Sequence, residues 1–212
     1  MKMARRIKEE PIVHQNRIAD QAQKLFQEKG IGHTSMDEVA RMAGYSKATL
    51  YVYFKNKDEI VAFLAMKSME GLKSALLNAL DIAKDSKSQF MAMCFALVSY
   101  QQEYPEYFER SLNFISFMGE TDPDAESFAG RTYQIGEEIN RAIARFIKAG
   151  VEKKELKAQR NPYVTIFQLW GMIAGLIRLA AEKQEYIAFS EKMTKEEFLM
   201  DGFEKIYTMI QI

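Results

Sequence analysis

With 212 residues, 48% of them apolar and only four prolines, the chain is long enough to bury a sizeable core and too apolar to be disordered. Its 29 basic and 29 acidic residues leave no formal net charge, a balance that taken alone argues against nucleic acid. The distribution reverses that argument. Residues 1–57 hold eleven Lys and Arg against six Asp and Glu, so a basic head sits on an acidic body, as expected when only one end meets phosphates.

In chain order, Lys2, Arg5, Arg6 and Lys8 make a basic end, read as a solvated tail or, alternatively, as an arm tracking a minor groove. Pro11 suits a first helical turn, and Ile18, Ala22, Leu25 and Phe26 form one stripe that Gly30 stops. Arg17 and Lys24 lie off that stripe, as phosphate contacts or as a solvated face. Ser35 with Glu38 is a capping box opening a two-turn helix that carries Met36, Val39, Ala40 and Ala43. Gly44 then supplies the left-handed conformation that ends it. Ser46 caps the next helix, whose Leu50 and Phe54 face inward and leave Lys47, Ala48, Thr49, Val52 and Tyr53 on its outer surface. Small residues near such an N-terminus admit base edges, while cations and hydroxyls reach phosphates. Asn56 with Glu59 reads as a further capping box, starting a helix that runs from Lys57 through Ile60, Leu64, Leu72 and Leu76 to about Asp81. No flexible linker interrupts it, so it serves as a rigid lever.

The run Ala43, Gly44, Tyr45, Ser46, Lys47, Ala48, Thr49, Leu50, Tyr51, Val52, Tyr53, Phe54, Lys55, Asn56, Lys57, Asp58, Glu59 resembles the signature of TetR/AcrR-type transcriptional regulators. Thr34, Ser35, Val39 and Ala40 fall where that family places its second helix. The resemblance covers the N-terminal third. Tyr45 stands where the family usually has valine, which touches the turn, and Ala48 where it often has glycine, which touches the approach to DNA. The resemblance implies DNA contacts from Lys47, Ala48, Thr49 and Tyr53 on the recognition helix, from Thr34 and Ser35 at the start of the preceding helix, and from Lys57 to a phosphate. It further implies an all-α protein in two domains. Residues 1–56 would form a three-helix helix-turn-helix DNA-binding domain, and 57–212 a larger helical effector-binding and dimerisation domain.

In the body, Ser86 with Gln89 reads as a capping box, followed by a segment dense in Phe90, Met91, Met93, Phe95 and Tyr100. Cys94, the single cysteine, sits in that apolar run as a small core residue; no intrachain disulfide can form, which suits a reducing cytoplasm. Pro105 restarts a helix, and Asp122 with Pro123 opens a long amphipathic one ending at Gly150. Core packing accounts for each aromatic singly, yet Met and Tyr together are also the lining of apolar ligand pockets, and TetR-type regulators carry a small-molecule cavity in this region. The expected lining is Phe63, Met66, Phe95, Tyr100, Tyr107, Phe114 and Phe117, with Arg110 and Arg178 as anchors for a polar group. Asn161 and Pro162 start a helix apolar nearly all round, with Gly171 and Gly175 four apart. Thr194 with Glu197 caps the last helix, striped by Phe198, Leu199, Phe203, Ile206 and Ile210. The family resemblance implies that these last two helices pair with their copies in a homodimer.

The longest uncharged apolar stretch lies within Val164 to Ile177, broken by Gln168 and closed by Arg178, shorter than the roughly 20 residues a bilayer span requires. No apolar run follows the basic opening, so no secretory leader, no membrane partner and a cytoplasmic location are expected. His14 and His33 are not at ligand spacing and read as surface residues; no metal, cofactor or nucleophile–base pair is expected, and hence no enzyme. Taken together, the sequence reads as a repressor released from a palindromic operator by a small apolar or aromatic effector. A ligand- or partner-binding helical module, and a constitutive DNA binder without an effector, are the alternatives.

Overall fold

The computed structural model describes residues 9–82, 84–114 and 126–212, with 110–114 by backbone alone. Among them the elements are α1 (Pro11–Lys29), α2 (Met36–Ala43), α3 (Lys47–Tyr53), α4 (Lys57–Ile82), α5 (Ser86–Glu103), α6 (Pro105–Phe114), α7 (Phe128–Glu152), α8 (Pro162–Glu182), α9 (Gln184–Ser190) and α10 (Lys195–Ile210).

Local chemistry sets most of these bounds. Pro11 occupies the first turn of α1. The box at the head of α2 is complete, with the Ser35 hydroxyl accepting from the Glu38 amide and the Glu38 carboxylate from the Ser35 amide. Gly44 ends α2 at φ 75°, ψ 26°, in the left-handed region where glycine carries no Cβ penalty. Ser46 accepts from the Thr49 amide and starts α3. Asn161 Oδ1 accepts from the Tyr163 and Val164 amides, and Thr194 with Glu197 closes a second full box.

Four expectations need correction. At α4 the Asn56 side chain accepts from the Glu59 amide, but the Glu59 carboxylate reaches the Lys55 amide instead of Asn56, so that box is half formed. The cap of α5 is Asp85, which accepts from the Ser88 amide. Ser86 is instead a buried first helical residue whose amide donates to Glu155 Oε2 at 2.8 Å, and Gln89 donates to the Leu80 carbonyl. Asp122 and Pro123 lie outside the described residues; α7 is described from its cap Ser127 onward and passes through Gly150 to Glu152. Gly150 is therefore not a helix stop but a point of close approach. A Cβ there would lie 2.5 Å from Leu156 Cδ1 and 2.9 Å from Ser86 Oγ. Finally, α8 breaks at Lys183 and continues as the short α9, which no glycine or proline announces.

Packing proceeds from α1–α3 at one end through α4 into the body. Ile18, Ala22 and Leu25 of α1 are buried with Val39, Leu50 and Phe54 in one core. The long α4 packs on α1, α5 and α7, and α8 packs on α5, α7 and α10. The join between the two ends is aromatic: Phe54 meets Phe63 of α4 at 5.5 Å between ring centroids, and Phe63 meets Phe128 of α7 at 5.0 Å. Such edge-to-face pairs add about 0.5–1.5 kcal/mol each beyond burial, so packing is continuous from α3 through α4 to α7. At the far end Lys157 N–H donates to the Ile210 carbonyl and Ile212 N–H to the Glu155 carbonyl, pinning the C-terminal residues to the α7–α8 connection.

By length and composition alone α8 qualifies as a membrane span, against the sequence-based expectation. Its Thr165, Ile166, Leu169, Ile173 and Ile177 are buried in the bundle, however. Val164 and Leu179, each about half exposed, remain as an apolar stripe on its outer side, and Phe167, also about half exposed, borders a cavity in the body.

Candidate nucleic-acid interface and internal cavity

Helix α3 stands on α2 through the Gly44 turn, with Leu50 and Phe54 buried beneath it. Its outer face presents Lys47, Ala48, Tyr51 and Val52, with Val52 77% exposed, unusual for an apolar residue on a folded head. Lys47 Nζ pairs with Asp37 Oδ1 of α2 at 2.8 Å, and this partner raises the ammonium's pKa, so the lysine stays charged throughout the physiological range. Thr49 hydrogen-bonds Ser46 through its hydroxyl at 2.8 Å.

Behind α3 lies a cluster that joins it to α1. His14 stacks on Tyr53 at 5.0 Å and its Nδ1 lies 2.7 Å from the Tyr45 hydroxyl. Arg17 donates to the same hydroxyl at 3.1 Å and pairs with Glu9 at 3.4 Å. The Arg17 guanidinium is held cationic by Tyr45 first and Glu9 second. His14 is thus not a bare surface residue, and Tyr45 ties the turn to α1, a link valine could not make by hydrogen bonding.

The body holds a partly open cavity of about 320 Å³ bounded by α4, α5, α6, α7 and α8. From α4 it is walled by Ala62, Ala65, Ser68, Met69 and Leu72; from α7 by Ala129, Thr132, Tyr133, Gly136, Glu137 and Asn140; and from α8 by Phe167, Trp170 and Ala174. Ile139 of α7, Leu97 and Tyr100 of α5, and Tyr107 and Phe108 of α6 complete the described lining. The Tyr100 hydroxyl meets Ser68 Oγ at 3.1 Å, and burial raises the phenol's pKa, so Tyr100 is neutral. Among the described residues no group of three His, Cys, Asp or Glu is placed to hold a metal ion.

The family model described as "Bacterial regulatory proteins, tetR family" matches residues 18–63, the stretch that contains α2, α3 and the start of α4. The biofilm operon icaADBC HTH-type negative transcriptional regulator IcaR of Staphylococcus aureus is 22% identical over 199 residues, spanning 93% of this chain and 97% of that one. Residues 18–63 thus match the TetR family, and the chain is similar to TetR/AcrR-type regulators along most of its length. The HTH-type transcriptional regulator AcrR of Shigella flexneri is 36% identical over 58 residues, 27% of each chain. Among solved structures, the TetR family transcriptional regulator PfmR from Thermus thermophilus aligns with TM-score 0.62 at 25% identity, covering 91% of this chain and 97% of that one.

The residues expected at DNA separate into two groups. Lys47, Ala48, Thr49 and Ser35 lie on the outer side of the α2–α3 unit, and Tyr53 lies beside them against His14. Thr34 and Lys57 do not share that surface. Thr34 is 3% exposed and its hydroxyl donates to the Gly30 carbonyl at 3.0 Å. Lys57 Nζ is turned into the α1–α2 connection, donating to the carbonyls of Ile31 and Thr34. Both brace the loop ahead of α2. Tyr51 and Val52 are the outward residues that the expected set left out, although their position opposite Leu50 and Phe54 on α3 marks them.

The expected cavity lining fares unevenly. Tyr100 and Tyr107 line the cavity. Phe63 is fully buried in the head–body seam, Met66 is buried in the core, and Phe95 packs edge-on against Phe203 at 5.8 Å. Arg178 is on the outside, paired with Glu182 and Glu109. Phe117, and the side chains of Arg110 and Phe114, lie outside what the structure describes. The space itself is left by small residues on α4, α7 and α8, among them Ala62, Ala65, Gly136 and Ala174, with aromatic side chains around them.

Proposed function

We propose that this TetR/AcrR-type regulator is a homodimeric repressor that leaves its operator when a small molecule enters the α4–α8 cavity. The observation that carries the reading is the double employment of α4. Its first turn holds the α1–α2 connection through Lys57 and its Phe63 sits in the head–body seam, while the next residues, Ala62 to Leu72, wall the cavity. A ligand that moves α4 therefore moves the head. In this reading residues 1–56 form the DNA-binding unit and 57–212 the effector-binding and dimerisation unit, with α4 common to both.

Lys47, Ala48, Thr49, Tyr51, Val52 and Tyr53 meet the major groove, Ser35 a phosphate, and Lys47 exchanges Asp37 for the DNA backbone. Thr34 and Lys57 position the loop. The partner copy covers the apolar stripe of α8: at Gly171 and Gly175 an added Cβ would meet nothing within 4 Å, leaving room for a neighbouring helix to approach. α10 completes that interface. Two heads must be about 34 Å apart, or a multiple of it, to occupy successive major-groove faces, so a ligand preferring another spacing weakens binding. The chain works in the cytoplasm and catalyses nothing.

The test is selection of DNA from a random pool by the purified protein, followed by footprinting. A two-fold symmetric site is expected. Absence of any enriched sequence at low salt, with a folded dimer in hand, overturns the reading.

A further inference from the structure

Among the described residues that line the cavity, Glu137 is the only one with a formal charge. Its hydrogen bond comes from the Asn140 amide, 3.3 Å from Oε1, and no cation among the described residues lies within ion-pairing distance. The adjacent carboxylate behaves differently: Glu138 faces away and pairs with Lys73 at 2.9 Å. Asn140 is not free to turn. Trp170 Nε1–H donates to its Oδ1 at 3.1 Å, which leaves the amide NH₂ to face Glu137. Two cavity residues thus orient the carboxylate, and its second oxygen keeps its acceptor capacity.

An ionised carboxylate beside apolar walls is costly unless a cation or donor meets it. The ring quadrupoles of Tyr100, Tyr107, Tyr133 and Trp170 favour positive charge as well, so the charged and the aromatic parts of the lining select the same sign. Three wall donors that would otherwise serve an anion are already committed. Ser68 Oγ donates to the Ala65 carbonyl, Thr132 Oγ1 to the Phe128 carbonyl, and Trp170 to Asn140.

We infer that the cavity takes an aromatic or apolar molecule bearing one positive charge, an amine or quaternary ammonium, with the cation against Glu137. The apolar body of the ligand lies toward Ala62, Ala65, Leu97 and Ile139. This rests on the effector reading above and specifies the chemistry of the ligand. A cavity of about 320 Å³ is at the small end of the range for such sites. A carboxylate or sulfonate of the same shape meets Glu137 as a like charge.

Trp170 is the only tryptophan in the chain and lines the cavity, so its fluorescence reports occupancy directly. The full chain, without DNA, is titrated with biphenyl-4-yl-trimethylammonium and with biphenyl-4-sulfonate, of similar size and opposite charge, and the affinities are checked by calorimetry. The ammonium binds at least tenfold more tightly, and Glu137→Gln removes that preference while leaving the sulfonate no weaker. Gly136→Leu projects a side chain into the cavity and abolishes binding; circular dichroism confirms that both variants are folded. Equal binding of the two probes, binding of neither, or an unchanged ammonium affinity in either variant overturns the inference. The outcome is separable from the effector reading. An ammonium that binds without releasing the selected operator leaves this inference standing and refutes effector control, whereas release by the sulfonate does the reverse.

Discussion

Lys57 separates two accounts of the same residue. As a phosphate contact, its removal would lower the slope of log affinity against log salt by about 0.9 and leave the fold unaffected. The structure gives it another role, donating to the Ile31 carbonyl at 2.5 Å and the Thr34 carbonyl at 2.9 Å, with Gly32 marginal at 3.4 Å. A hydrogen bond from a charged donor contributes about 1.5–3 kcal/mol net, and partial exposure places this pair at the lower end. Lys57→Met keeps the apolar stem and deletes both bonds, for an expected loss of about 2–3 kcal/mol. In a chain of this size that lowers Tm by about 5–10 °C. The assay is thermal unfolding followed by circular dichroism at fixed protein concentration, together with operator binding over a range of salt. Affinity falls uniformly as the loop ahead of α2 loosens, while the salt slope is unchanged. A variant of unaltered Tm whose slope drops by about one refutes the positional role and restores the phosphate contact.

Three further outcomes follow from the structure. The Lys29 ammonium, then the Ser35 amide and hydroxyl, hold the Glu38 carboxyl down at about 2 from an ordinary 4.5. Its stabilisation is therefore fully present above about 4.5 and lost as pH falls toward 2; Glu38→Gln flattens the pH dependence of the urea midpoint in that window, and an unchanged dependence contradicts the pairing. Gly150→Ala drives a Cβ into buried Leu156 and costs about 1–3 kcal/mol in urea unfolding, whereas Gly136→Ala, opening onto empty space, stabilises by up to about 1 kcal/mol. Equal effects at the two glycines would show that the close approach at Gly150 is absent. Cys94 is fully buried and burial pushes its thiol far up, so it resists thiol reagents in the folded protein and reacts in urea; rapid labelling of the folded chain contradicts its place in the core.

What is legible in the sequence is local. Ser35 with Glu38, Ser46, Asn161 and Thr194 cap helices through bonds spanning two or three residues, so their spacing carries the geometry. The turn at Gly44 is legible for the same reason. Lys57 escapes such reading because its partners, the Ile31 and Thr34 carbonyls, meet it only when α4 packs on the α1–α2 connection, and the same packing buries Thr34. Ser86 reads like a cap, yet Asp85 one position earlier offers a charged acceptor and Ser86 is buried against Gly150 and Glu155. The cavity is hardest to read. α4 is apolar on several sides, so periodicity does not fix which side faces inward, and the large residues expected as lining, Phe63 and Met66, fill the core where they lie. Ala62, Ala65, Gly136 and Ala174 leave space by being small, a signal that emerges only when α4, α7 and α8 are seen together.

The central claim is that cavity and DNA surface are coupled through α4, and reciprocal binding tests it most directly. Trp170 fluorescence gives the affinity of biphenyl-4-yl-trimethylammonium for the free protein and for the protein saturated with its selected operator. Coupling predicts weaker ligand binding on DNA, by the same factor by which saturating ligand weakens the operator. Equal ligand affinities in the two states, with Trp170 responding in both, contradict it.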